Sequence, residues 1–310
     1  MPPSLPPQAL VLWWTVVGLF VGSFLNVCIH RYSIEDETPS RPRRSRCPQC
    51  RTTLTWRENI PLLSWLVQLG RCRTCRWRIP VRYPLIEAVN AALWWWVITS
   101  VGTEQVGLWI VASVVLSGLV VATVVDFQHF EIPDGVSIGG MIVAPLACLV
   151  VPELHSQSRI AMEVAGGGAV GPTGSLLAGL AGMAVGGGAI WSIGWIGTKL
   201  YGADAMGFGV VKLLAAGGGF VGPGGALAAL AVAALTAGAF GIFNILRFLF
   251  ITRSRASQRG RRDPWSRSVQ VARTAGRYLP FGPFLALGIG IALLHWDHVL
   301  ELWPILGPLP

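Results

Sequence analysis

Residues 45–75 read SRCPQCRTTLTWRENIPLLSWLVQLGRCRTC. This stretch holds four of the six cysteines as two CxxC pairs, Cys47/Cys50 and Cys72/Cys75, with 21 residues between the pairs. Each pair can set two thiolates on one tetrahedral ion, so two pairs complete a closed structural zinc site. The 21-residue separation falls just outside the usual ribbon spacing. Arginines crowd both knuckles, Arg46, Arg51, Arg71 and Arg76 among them, and help keep the sulfurs ionised. Two disulfides or four unrelated thiols are the alternatives; a loop facing a reducing compartment favours zinc. What flanks this loop decides the fold.

Outside the loop the chain is apolar. Mean hydropathy is +0.57, 53% of residues are hydrophobic and 13% are charged. A soluble domain carries about 25% charged residues, so the composition predicts an all-α polytopic membrane protein. The formal charge of +9 does not by itself indicate nucleic acid, because the basic residues gather in two hydrophilic loops, which is first a topology signal. Fourteen tryptophans suit interfacial belts, as at Trp13-Trp14 and Trp94-Trp95-Trp96. The opening MPPSLPPQALVLWW has neither a basic n-region nor a small-residue cleavage site, so the first apolar segment is expected to be retained.

Eight apolar segments follow from the pattern: 9–28, 84–101, 106–125, 135–151, 174–197, a short one at 209–220, 225–251 and 279–295. The first contains Gly18-xxx-Gly22, then Ser23 and Asn26, which reads as a close-packing face with polar groups for a neighbouring helix. Residues 30–83 carry 12 Arg against Glu35, Asp36, Glu37 and Glu58, and residues 252–277 carry eight Arg against Asp263. The positive-inside rule places both loops in the cytoplasm. Eight spans with the N-terminus outside satisfy both at once. The expected division is 1–29 first transmembrane helix, 30–83 cytoplasmic zinc loop, 84–299 membrane core with the basic loop 252–278, and 300–310 tail. The linker 152–172 has no assignable role.

Two polar spots fall at the cytoplasmic ends of apolar segments. Asp126 closes the third, in TVVDFQHFEIPDG, and DAMGFGVVK (204–212) opens the sixth. A carboxylate at membrane depth is a functional candidate by default; the alternative is a hydrated helix-end residue pairing with an Arg. Two carboxylates sharing a site split their acid and base roles, and a GxG turn lets backbone approach a substrate or helix closely. Asp134, in Pro-Asp-Gly, reads as a turn or N-cap residue. His129 and Glu131 read as solvated. Lys199 and Lys212, the two lysines, can snorkel at the interface, and Lys212 can alternatively tune the acidic site.

Taken together, GLFVGSFLNVCIHR (18–31), RCPQC…WRENIPLLSWL…GRCRTC, RYPLIE (82–87), VVDFQHFEIPD (124–134), MGFGVVKLLAAGG (206–218) and LPFGPFLALG (279–288) resemble the bacterial type IV prepilin peptidases over nearly the whole chain. The resemblance implies a GxGD-type aspartic protease of the bacterial inner membrane. Such enzymes remove the basic leader of type IV prepilins and pseudopilins after a glycine at the cytoplasmic face. Many also methylate the new N-terminal amine with S-adenosylmethionine. The first catalytic aspartate maps onto Asp126 and the cysteine loop onto the four thiols. The second motif, GxGDxK, maps onto Gly207, Gly209 and Lys212, but Val210 stands where its aspartate belongs.

Valine can neither accept a proton nor activate water, and a lone carboxylate lacks the pairing that separates acid from base. An engineered or accidental substitution, a natural pseudo-peptidase, and replacement by Asp204 are the three explanations open. Methyl transfer does not need the dyad; Glu58 and Asn59, in WRENIPLLSW beside the knuckles, are its polar candidates. The alternative function is a catalytically inactive scaffold that holds prepilins or assembly proteins through the zinc loop. A membrane-tethered nucleic-acid binder rests on the arginines of that loop and on the interleaved Trp56, Trp65 and Trp77. Topology already explains the charge, so no nucleic-acid partner is expected.

Overall fold

All eight apolar segments are helical, as they must be where no water is available to backbone groups. The computed structural model describes residues 6–32, 38, 40, 44–202, 206–258 and 279–295. In chain order the helices are α1 (Pro7–Tyr32), α2 (Leu63–Val67), α3 (Arg82–Val101), α4 (Val106–His129), α5 (Asp134–Val150), α6 (Arg159–Ala165), α7 (Pro172–Tyr201), α8 (Phe208–Gln258) and α9 (Gly282–Leu294). No strand occurs among the described residues; the polar loop contributes two isolated bridges, Arg46–Thr53 and Arg71–Arg78. Five helices, α1, α3, α4, α7 and α8, are long and apolar enough to cross a membrane, and α5 and α9 are shorter apolar helices. Asp204, most of the second basic loop (259–278) and the tail 300–310 lie outside the described residues.

The expected sixth and seventh segments are the two arms of α8. Gly222 adopts φ 73°, ψ 177°, and Pro223 follows inside the helix. Proline has no N–H to return to the carbonyl four residues back. That carbonyl belongs to Gly219, and the Cys148 thiol of α5 points to it at 3.6 Å. The linker 152–172 acquires a role here. It folds into a 3-10 turn, Pro152–His155, followed by α6. His155 is buried, sets Nδ1 3.0 Å from the Ser175 hydroxyl, and lies against Gly222, where even a Cβ would come within 3.3 Å of the imidazole.

Small residues set the helix spacing. A Cβ on Gly182 or Gly218 would collide with the carbonyl of the other, so α7 and the first arm of α8 touch backbone to backbone. Between α1 and α3, Gly18 lies under Trp94 and Gly22 under Glu87 and Asn90. Asn90 donates to the Gly18 carbonyl at 2.8 Å, and Asn26 to the Tyr83 carbonyl at 3.0 Å.

The tryptophans divide. Trp13 and Trp95 are exposed, as a belt requires, but Trp14 and Trp94 are buried. Trp14 stacks on Trp94 at 4.4 Å and meets Trp109 edge-on at 4.3 Å. Burial is possible because serines of α4 satisfy the indole N–H groups: Trp14 bonds Ser113 at 3.0 Å and Trp94 bonds Ser117 at 2.9 Å. The outer faces carry exposed Leu12, Phe20, Ile142, Phe243 and Phe250, the side chains a lipid environment selects.

Candidate functional site

The two knuckles are near copies of each other. In the first, Cys47 N–H bonds the Thr52 carbonyl and Arg51 N–H returns to the Cys47 carbonyl. In the second, Cys72 and Arg76 repeat the pattern, with the Trp77 carbonyl in place of Thr52. Arg51 and Arg76, each the residue after its CxxC, both adopt positive φ, 56° and 59°, which reverses the chain and turns the paired sulfurs inward. All four Sγ atoms lie within 4.8 Å of one another. Cys47 and Cys75 are 3.8 Å apart, and Cys50 and Cys72 4.0 Å.

Tetrahedral zinc with Zn–S bonds of about 2.3 Å needs sulfurs about 3.8 Å apart, so the residues present fit the ion. The contacts run between knuckles, and all four thiols are free, which fits one shared ion and not a disulfide within each pair. Hydrogen bonding with the Thr52 side chain and backbone draws the Cys50 thiol down to about 6.

Between the knuckles the chain builds one wall of a cleft. Thr55 N–H and its hydroxyl both reach a carboxylate oxygen of Glu58, at 2.8 and 2.7 Å. These bonds hold Glu58 below the usual carboxylate range and close the 3-10 turn Trp56–Asn59. After this turn Leu62 takes φ 59°, ψ −52°, with Leu63 N–H bonded to the Pro61 carbonyl at 2.6 Å. A left-handed leucine is strained. Its N–H is held at 2.8 Å by Glu87, reaching up from α3.

Gly70 ends the wall at φ 64°, and a Cβ there would sit 2.8 Å from the Trp65 ring. Gly70→Ala is therefore expected to destabilise the loop by about 1–2 kcal/mol, from the left-handed penalty alone. Thermal unfolding in detergent, with metal content measured alongside, checks this.

The cleft has a volume of about 470 Å³ and lies between the loop and the polar ends of α1 and α3. It is lined by Trp65 and Trp77, by Glu58 and Asn59, and by Arg31 and Arg46 among its cations. That size suits a small-molecule ligand. Indole faces can take a flat heterocycle, and guanidinium groups can take a carboxylate. Of the sequence candidates, Glu58 both lines the cleft and folds its wall, and Asn59 lines it.

The second spot assembles where α4, α8 and α9 meet. Asp126 is buried one turn before the end of α4, not at its end as expected, because the helix runs on to His129 and is closed by Phe130 in a left-handed cap. Its Oδ2 accepts the Gly282 N–H at 2.8 Å. The carboxylate thus satisfies an orphan donor at the first turn of α9, and its partner is backbone, not an arginine. Val210 is buried in the apolar cluster that contains Ala122, one turn before Asp126, and Leu285, one turn into α9. Gly209 approaches Ile132, to which a Cβ would come within 3.3 Å. Lys212 pairs with Asp134, the first residue of α5, so its charge is directed there. Gly207 immediately precedes α8.

The two sites adjoin. Arg82 bonds Gln128 at 3.1 Å, and the Tyr32 hydroxyl donates to Glu131 at 3.2 Å. These contacts tie the cleft ends of α3 and α1 to the segment just beyond Asp126. Ile86 and Val125, chain neighbours of Glu87 and Asp126, share one apolar cluster. Neither Glu87 nor Gly282 is among the residues singled out from the sequence. The available signals were a carboxylate inside an apolar helix and a Gly-Pro opening before another.

Residues 16–101 match the Bacterial Peptidase A24 N-terminal domain, and residues 113–242 match the Type IV leader peptidase family. The chain is 33% identical to the type 4 prepilin-like proteins leader peptide-processing enzyme of Escherichia coli O78:H11 (strain H10407 / ETEC), over 93% of this chain and 95% of that one. It is 31% identical to the prepilin leader peptidase/N-methyltransferase of Stutzerimonas stutzeri, over 94% and 93%. Against the enzyme of the same name from Myxococcus xanthus (strain DK1622), identity is 44% over 41% of this chain and 37% of that one. No solved structure matches. Near-full-length identity to such enzymes, on a multi-pass helical fold with a four-cysteine loop, shows that this chain belongs to the type IV prepilin leader peptidase family.

Proposed function

We propose that this protein processes type IV prepilins or pseudopilins at the cytoplasmic face of a bacterial inner membrane, N-terminus outside and zinc loop inside. Its methyl-transfer half is complete, and its cleavage half lacks one carboxylate. The observation that carries this reading is the cleft beside the knuckles. It unites indole faces, arginines and buried carboxylate, the donor set an amino-acid-bearing nucleoside such as S-adenosylmethionine needs, and it adjoins the helix end that bears Asp126. That group, when bound, supplies the methyl. Arg31 and Arg46 would hold its carboxylate, Trp65 or Trp77 its base, and Glu58 and Asn59 its hydroxyls.

In the cleavage half, Asp126 is the first catalytic aspartate, Val210 fills the place of the second, and Gly207, Gly209 and Lys212 support the turn. With about 1.5 Å rise per residue, the 17 residues of α5 and 13 of α9 reach only about 25 and 20 Å, short of a hydrocarbon core about 30 Å thick.

The test supplies membranes carrying this protein with a labelled methyl donor and either a full-length prepilin or the same pilin already lacking its leader. Methylation of the pre-cut pilin without cutting of the full-length one is expected. A scaffold, the reading that buried Val210 favours, would retain prepilin without modifying either form. In a Val210→Asp background, Gly282→Ala is expected to lower cleavage at least about 100-fold, the loss that a misplacement of about 1 Å can produce. A Cβ at Gly282 would lie 2.6 Å from Asp126 Oδ2. Single-turnover cleavage checks this, with the melting temperature as control.

A further inference from the structure

We infer that Glu87 is the group that receives the pilin N-terminal amine and takes its proton during methyl transfer; the inference rests on the cleft being the methyl-donor site.

Four observations converge on it. Glu87 is 8% exposed and is among the residues that line the cleft. One oxygen is fixed by the Leu62 N–H at 2.8 Å, and the Ser23 hydroxyl is its other partner. The carboxylate is therefore held in one orientation before any ligand arrives. The backbone it holds is a leucine at φ 59°, a conformation that persists only where its surroundings enforce it. Finally, Ile86 and Val125 lie in one cluster, so Glu87 and Asp126 sit on packed helices whose axes are separated by about 8–10 Å at such contacts. An amine released by cleavage at Asp126 thus leaves from a helix packed against the one that bears Glu87.

Other groups in the cleft divide the remaining work. His30, Arg31, Arg44, Arg46 and Arg51 are basic, and Glu58 is the other acid. Glu58 carries both its Thr55 bonds on one oxygen and belongs to the loop wall, where its other oxygen suits the donor's hydroxyls. The cations suit the donor's carboxylate and repel an ammonium. Glu87 is thus the anion placed to attract the amine from the side on which it arrives.

The step balances. An N-terminal ammonium must lose a proton before its nitrogen has a lone pair to give. Glu87 accepts that proton, and the nitrogen attacks the methyl carbon of the sulfonium donor. The N–C bond forms as the C–S bond breaks, and the C–S electron pair stays on sulfur, which leaves as a thioether. The proton passes from Glu87 to solvent at the mouth of the cleft.

The test uses the full-length protein in detergent, a peptide with the mature pilin N-terminus, and S-adenosylhomocysteine as the binding probe. Glu87→Gln keeps an oxygen for Leu62 N–H and removes the base. It is expected to lower the methylation rate about 100-fold at pH 7, while S-adenosylhomocysteine affinity and zinc content stay within threefold. Its rate should climb about tenfold per pH unit until the amine itself deprotonates, near pH 8, a steeper rise than in the unaltered protein. Glu87→Asp, which keeps a carboxylate, should recover part of the rate. The proposal is overturned if Glu87→Gln methylates normally. It is also overturned if rate, probe affinity and zinc fall together with an unchanged pH profile, the signature of a loop support only. If the unaltered protein fails to bind S-adenosylhomocysteine, the reading of the cleft itself fails, and this shows before any variant is made.

Discussion

Membranes carrying Val210→Asp are expected to cleave a co-expressed prepilin about 10²–10⁴-fold faster than those carrying the chain with valine, the range a positioned acid or base contributes. Asp126 already has one oxygen committed to Gly282 N–H, so it is oriented, and position 210 offers it no second carboxylate. A second carboxylate at 210 would share a proton with it, leaving one group to draw a proton from water and the other to hold the scissile carbonyl oxygen. The site has room for the exchange, since Asp is no larger than Val.

The new charge does enter an apolar cluster with Ile132 and Leu213, and a lower melting temperature should accompany the gain. Val210→Asp/Asp126→Ala must be inactive. If the chain with valine already cuts, the assignment of 210 is wrong and Asp204 becomes the residue to replace. If neither cuts but the pre-cut pilin is methylated, the defect extends beyond position 210.

Removing the metal should have the second-largest effect. Cys72→Ser is expected to weaken zinc binding by well over 100-fold, because even outer partners of a metal ligand are each worth about 10–100-fold. Apart from a bound ion, the loop rests on short-range elements: two isolated bridges, the knuckle turns, the Thr55–Glu58 bonds, the Trp65–Ile79 bond at 3.2 Å and the Leu62–Glu87 bond to α3. Its apolar side chains cannot replace the metal, since Trp56, Leu66, Val67 and Leu69 point outward. Chelator treatment and Cys72→Ser should both expose the loop amides to rapid hydrogen exchange and abolish S-adenosylhomocysteine binding. The amides of α4, α7 and α8 should stay protected, because these helices pack on other helices of the bundle. Loss of protection in the helices as well would show that the loop and the bundle fold as one unit.

Much of this protein was legible in its residues. A run of apolar residues long enough to span must be helical, because lipid leaves its backbone no other partner, and so the apolar segments could be read as helices, of which five are long enough to cross a membrane and two are shorter. Two CxxC pairs could be read as one site because thiolate chemistry and tetrahedral geometry leave few alternatives. Val210 stood out only against the GxGDxK motif of the family it resembles, where an alkyl group cannot do the chemistry of a carboxylate.

Other features depend on which helices touch, and hydropathy does not encode partners. The sequence placed Trp14 and Trp94 at an interface; serines on α4 allowed them into the interior. The linker 152–172 looked empty until His155 reached the break in α8. Lys212 could have served Asp126 but pairs with Asp134. Above all, Glu87 facing the cleft and Gly282 holding Asp126 are contacts across 25 and 156 positions. Composition and spacing determined the helical elements and the four-thiol cluster, because those follow from local physics. Only tertiary packing decided which carboxylate meets which backbone amide, because that depends on the order in which helices lie side by side.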